Sequence, residues 1–164
     1  MLKFFLNPDN KAYLRSLEQD FGGSTNGIRL ELNKLEQANM LTHAFEGKKK
    51  VFQVNTQHPL YQDINSIVRK YFGLDLLLDK VLNRLENLEA VYLLGDLANG
   101  LQSGVMELLI VGDPNRQYLM TLLEKLEKNI DKKIAFSIFY KEDNYYTVLQ
   151  KEKHLLLWNS AHDE

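Results

Sequence analysis

The 164-residue sequence contains no cysteine, which excludes disulfides and thiolate metal sites. Its four histidines, His43, His58, His154 and His162, are too scattered for the spacing that brings two ligands to one helix face, so no metal site and no cofactor is expected. Long apolar runs are missing too. Residues 1–6 are apolar, but Asn7-Pro8-Asp9-Asn10 ends that stretch far short of a signal-peptide core or a membrane span, so a soluble cytoplasmic protein with no membrane partner is expected. A strong charge is also lacking. The net charge of −2 draws no polyanion by itself, and an argument for nucleic acid has to rest on how charge is distributed. Residues 1–70 hold ten Lys and Arg against seven Asp and Glu, +3, whereas residues 71–164 hold ten against fifteen, −5. A mildly basic half joined to an acidic one suggests two modules with different partners, and 45% apolar residues supply a core for both.

In the first half, Tyr13, Leu14, Leu17 and Phe21 recur at helical spacing, and Gly22-Gly23 stops that helix. Ser24 or Thr25 then offers an N-cap hydroxyl to a second helix over 25–39, whose inner face is Ile28, Leu32, Leu35 and Ala38. Two short helices around a glycine turn make a helix-turn-helix, whose second helix lies in a major groove. The opposite face carries Thr25, Asn26, Arg29 and Asn33, with Leu30 beside them. Arg29 suits guanine, Asn26 and Asn33 suit adenine, and Ser24 and Thr25 suit a phosphate near the helix start. Residues 41–45 alternate as a strand, Glu46-Gly47-Lys48 turns, and residues 49–54 return as a second strand. Lys48, Lys49 and Lys50 sit at this hairpin tip, where each neutralised phosphate adds salt-dependent affinity.

The run from Tyr13 to Leu41, with its Ser-Thr-Asn start and an arginine one turn later, resembles ArsR/MarR-type winged-helix regulators over roughly residues 1–56. The resemblance implies that the Ser24 helix is the recognition helix and the lysine hairpin the wing, with double-stranded DNA as partner. One departure is that only residues 1–6 precede Asn7-Pro8 where the family has a full first helix. Either that helix is trimmed to little more than a turn or another element caps the domain.

After His58-Pro59, the residues Leu60, Ile64, Ile67, Val68, Tyr71 and Phe72 describe a connecting helix over 58–73, ended by Gly73, that joins the modules or mediates a dimer. Asp75 caps a helix through about Leu88 with Leu78, Val81, Leu82 and Leu85 on its apolar face. Strands follow at 90–94, 105–111, 133–140 and 155–158, with helices at 115–129 and 145–149. The fold class expected is therefore α+β in two small domains, a winged helix-turn-helix over 1–57 and an α/β domain with a mixed sheet over 74–164.

Within the second domain, Gly95-Asp-Leu-Ala-Asn-Gly100 followed by Ser103-Gly-Val-Met-Glu-Leu-Leu-Ile-Val-Gly-Asp113 resembles the signature of the minimal nucleotidyltransferase family. That resemblance implies a turn cradling a triphosphate, and carboxylates at i and i+2 of a strand pointing to one side to hold magnesium. Position by position, Gly95 is retained, Asp96 stands for the serine, Asn99 for the arginine, Val105 for the first metal carboxylate and Glu107 for the second. The third carboxylate has no acidic counterpart among residues 134–137. Gly95, Asp96, Asn99 and Glu107 are accordingly expected as a vestigial nucleotide site. A nucleotide, another small anion or no ligand at all remain open there.

The reading expected from these observations is a sequence-specific, dimeric, DNA-binding transcription regulator that is not an enzyme, its second domain serving dimerisation or ligand sensing. The alternatives are an active nucleotidyltransferase of antitoxin type and a winged helix used for protein interaction.

Overall fold

The computed structural model describes residues 2–22 and 24–162. The expected turn residue Gly23 and the side chains of Phe21 and His162 lie outside the described residues. The chain divides into two compact units, Met1–Val68 and Arg69–Glu164. Among the described residues, no helix is long and apolar enough to cross a membrane.

The first unit runs α1 (Leu2–Leu6), β1 (Ala12–Tyr13), α2 (Leu14–Phe21), α3 (Thr25–Gln37), β2 (Leu41–Glu46) and β3 (Lys49–Val54), and α4 (Tyr61–Phe72) begins in it. Its three strands form an antiparallel sheet in the order β1-β3-β2. The first helix is indeed little more than one turn. Phe4, Phe5 and Leu6 are buried, and Asn65 of α4 donates to the Phe5 carbonyl at 2.6 Å and the Leu6 carbonyl at 3.2 Å, taking up carbonyls that a longer helix would satisfy itself.

Tyr13 belongs to β1, not to the helix expected from its spacing. Its backbone is extended (φ −94°, ψ 155°) and it pairs with Val51, while Ser16 Oγ accepts from Tyr13 N at 3.1 Å and donates to Tyr13 O at 2.8 Å. Those bonds supply the helix start that a Ser or Asp ahead of Leu14 would otherwise give. Gly22, at φ 62°, ends α2. On α3, Ser24 is the N-cap and accepts from Gly27 N at 3.2 Å. Leu32 is buried and Ile28 and Leu35 are half-buried as expected, but Ala38 is exposed, because the helix ends at Gln37 and the chain turns away through Asn39 at φ 56°.

The second unit runs α5 (Leu74–Leu82), β4 (Leu88–Leu94), α6 (Gly95–Ala98), β5 (Val105–Gly112), α7 (Arg116–Ile130), β6 (Lys133–Phe139), α8 (Tyr146–Lys151) and β7 (Leu155–Asn159), then a 3-10 turn. The sheet order is β6-β5-β4-β7; β5 and β6 are parallel and linked through α7, and the other pairs are antiparallel. This is the mixed sheet that alternating strands and helices imply. On β5, Met106, Leu108, Leu109, Ile110 and Val111 are all buried, so both of its faces lie in core. One face joins Ala90, Leu94 and Leu149 around Leu109 and Val111.

The helix expected over 75–88 stops at Leu82 and buries Leu74, Leu77 and Val81, with Leu78 and Leu82 only half-buried. Leucine on nearly every side of this segment leaves its periodicity unable to choose a face. Asn83 caps the end, its backbone N–H donating to the Asp79 carbonyl at 3.2 Å while its side-chain amide donates to Asp79 Oδ1 at 2.8 Å, and Asn87, at φ 59°, turns the chain into β4.

Gly112 (φ 136°), the last residue of β5, lies so close to the segment entering β4 that a Cβ there would overlap the Asn87 carbonyl. Gly112→Ala should cost about 2–4 kcal/mol, from the left-handed backbone and the overlap together. Gly104→Ala, whose Cβ meets nothing within 4 Å, should change little. Urea unfolding followed by Trp158, the single tryptophan of the chain, checks both.

Candidate functional site

Two places carry the residues singled out from the sequence, one in each unit. In the first unit a cleft of about 680 Å³ opens between α2, α3 and β3. Arg29 and Asn33 line it from α3, Lys49 and Lys50 from β3, and Arg15, Ser16 and Gln19 from α2. Four of the eight residues expected to meet DNA thus share one concavity. Ser24, Thr25 and Asn26 are exposed at the start of α3, and Lys48 is exposed in the hairpin turn; none of these four lines the cleft. Ser24 has its hydroxyl engaged in the helix cap.

The cleft has no carboxylate in its lining. Among the described residues no acidic side chain pairs with Arg15, Arg29 or Lys49. Lys49 lies 5.7 Å from the centre of the Tyr13 ring, and Lys50 lies 4.8 Å from that of Phe52, which fixes both amines over aromatic faces. Lys50 is the exception to the free charge: its Nζ donates to Glu36 Oε2 at 2.8 Å. Glu36 also contacts His43 of β2, so one α3 carboxylate grips both strands of the hairpin. The Lys50 ammonium, followed by His43, holds the Glu36 carboxyl below its ordinary range. Arg15 and Gln19 were not anticipated from the sequence. Their signal was available, since both stand on the face of α2 opposite Leu17, on the helix that crosses the backbone in a helix-turn-helix.

In the second unit, β4 ends at Leu94 and the chain turns at Gly95 (φ 66°) into the one-turn α6. Glu107 on β5 pairs with Leu94, and its carboxylate packs against Gly95 so closely that a Cβ there would overlap it. Asn99 donates to the Gly95 carbonyl at 3.0 Å, so its amide closes the turn and does not reach outward as the family arginine would. Asp96 is exposed, and Val105 and Glu107 share a face of β5 that β6 flanks with Lys133 and Ala135. Among the described residues, no three acidic or histidine side chains converge to hold a metal ion. The donor set that the resemblance implies for magnesium is thus not assembled at this turn, and no step is derived through that ion.

No family model matches the sequence, and no curated protein matches it. Two solved structures of variants of the toxin-antitoxin MntA-HpeT share 16% identity over 54% of this chain and cover 75% and 74% of the matched chains, with TM-scores of 0.44 and 0.42. A rebuilt structure of the tri-AMPylated Shewanella oneidensis HEPN toxin in complex with MNT antitoxin shares 15% over 54% of this chain and 71% of the matched one, with a TM-score of 0.40. Likeness at this level assigns no role to any residue. The expectation that the chain is not an enzyme nevertheless runs against these neighbours, toxin-antitoxin complexes of which one holds an AMPylated toxin, and it is withdrawn. An incomplete carboxylate set speaks to one metal arrangement and not to activity in general.

Because the Glu36 carboxyl titrates low when folded, its contribution to stability is present above the unfolded value of about 4.3 and is lost as pH falls through the folded one. Lys50→Ala should move that midpoint back up and weaken the acid-side dependence. Carboxyl-carbon NMR titration of wild type and variant reads both changes.

Proposed function

We propose that the first unit is a winged helix-turn-helix that binds double-stranded DNA, in a transcription regulator whose second unit has a nucleotidyltransferase-like fold. The observation that carries this reading is the cleft in which Arg29 and Asn33 of α3 stand beside Lys49, Lys50 and Arg15 with no carboxylate among them. A duplex needs cations for its backbone and forked or amide donors for base edges, and this cleft offers both along one helix and one hairpin. In this reading α1 to β3 form the winged fold, with α3 as the recognition helix and the β2–β3 hairpin as the wing. Arg15 and Gln19 join Lys49 on the phosphates, and Arg29 reads a base.

Three variants separate these roles. Lys48→Ala with Lys49→Ala should weaken binding to every duplex alike and flatten the dependence of log affinity on log salt by about two units. Adding Lys50→Ala should flatten it by less than a further unit, since Lys50 is already held by Glu36. Arg29→Ala should cost about 1–3 kcal/mol on the cognate site and far less on random duplex. Fluorescence anisotropy at several salt concentrations, with melting temperature recorded on the same samples, measures all three variants. An unchanged ratio of specific to non-specific affinity would remove Arg29 from base reading.

A second reading, a nucleotidyltransferase of antitoxin type that modifies a partner protein, is supported by the Gly95 turn, where a glycine in the left-handed region meets the Glu107 carboxylate. The toxin-antitoxin complexes named above supply the kind of partner. On this reading, the purified chain transfers label from a nucleoside triphosphate to a co-purified partner protein, and Glu107→Gln abolishes the transfer while leaving duplex binding unchanged. Label on the partner at equal rates with both proteins would dissociate the turn from the activity.

A further inference from the structure

One side of α4 is engaged: Asn65 holds the two α1 carbonyls, and Val68 and Phe72 are buried. About a quarter turn around the same helix runs a second apolar stripe of Leu60, Ile64, Ile67 and Tyr71. Leu60 is 48%, Ile67 66% and Tyr71 65% exposed. Leu60 precedes the helix but shares its phase, since its carbonyl accepts from Ile64 N at 3.0 Å. The spacings of four, three and four residues are those of a coiled-coil seam, with Ile64 and Tyr71 at a positions and Leu60 and Ile67 at d positions. The Tyr71 ring stands edge-on to buried Phe72, with 5.3 Å between centroids, which holds it on the stripe. A helix needs one apolar face for its own core, and a second marks a contact made outside the chain.

Charge borders this stripe on one flank, where Asp63 and Lys70 both stand at g positions. Among the described residues neither has an ion pair within the chain. The neighbouring cations are engaged. Arg69 donates to Asp75 at 3.0 Å, and Lys132, which lines a hollow with Tyr71, donates to the Ser103 carbonyl at 2.7 Å. The acidic end of the stripe and its basic end are therefore both open.

We propose that α4 packs antiparallel against α4 of a second copy of this chain, about a twofold axis that passes between Ile64 and Ile67. The seam then sets Ile64 opposite Ile67 of the second copy and Leu60 opposite its Tyr71, so each apolar side chain of one stripe meets one of the other. Charge selects the direction. In an antiparallel seam the g positions face each other, so Asp63 of each copy meets Lys70 of the other. A parallel pair would instead set Asp63 level with Asp63 and Lys70 level with Lys70.

This inference is independent of the DNA reading, since a monomeric chain that binds duplex leaves that reading intact. Sedimentation equilibrium of the full chain at about 100 μM should give a dimer, a range suited to an interface of one helix pair. Ile67→Glu, at an exposed position, should give a monomer with unchanged far-ultraviolet circular dichroism. Asp63→Lys should weaken the dimer about tenfold or more, because both symmetry-related pairs become repulsive, and adding Lys70→Asp should return it to within about threefold of wild type. The chain has no cysteine, so the direction can be read by crosslinking. When Leu60→Cys and Tyr71→Cys chains are mixed, a short bis-maleimide should join one chain of each kind. A wild type that is monomeric at that concentration overturns the proposal. So does a dimer that survives Ile67→Glu, which places the contact elsewhere, and so do an undiminished Asp63→Lys dimer or crosslinks between chains of the same kind, which exclude the antiparallel seam.

Discussion

The basic cleft of the first unit depends on one carboxylate. Glu36 stands on the inner side of α3 and holds Lys50 of β3 and His43 of β2 at once, so the helix and the hairpin are set at a fixed distance. Two partners in place make this more than an exposed surface pair, which contributes little. The same contact discharges one lysine of three, which leaves Arg15, Arg29 and Lys49 as the cations open to a ligand. A helix that drifted from the hairpin would spread those charges and lose the concavity in which they meet.

The second unit is organised by a different constraint, the burial of β5 on both faces. A strand covered on both sides reads as a continuous apolar run, and Met106 to Val111 is such a run apart from Glu107. Glu107 escapes by lying near the strand's start, against the glycine turn that follows β4. The exposed carboxylate and the left-handed glycine are thus two consequences of one corner. That corner is where the second functional reading rests.

Much of this was legible in the sequence. The serine cap of α3, the hairpin turn at Gly47 and the alternation of strands and helices after Gly73 are local effects, set by hydroxyl, backbone and period within a few residues. Hence the positions of Arg29 and Asn33 on the outer face of α3, and of Lys49 and Lys50 on the returning strand, followed from spacing alone. Tyr13 did not, because its extended backbone is imposed by pairing with Val51, thirty-eight residues away. The face of α5 was also undetermined, since leucines surround that helix and only its neighbours decide which of them are covered.

What the sequence by itself determined is therefore the set of elements and the chemistry each carries, because capping, turn geometry and periodicity act over one or two turns of chain. What the tertiary structure decided is which of those groups meet. That Lys50 is spent on Glu36, that Arg15 joins Arg29 in one cleft, that Asn99 closes its own turn and that β6 is an edge all depend on contacts between distant segments. Side-chain spacing along the chain carries no record of such contacts, because they arise only when separate apolar faces are buried against one another.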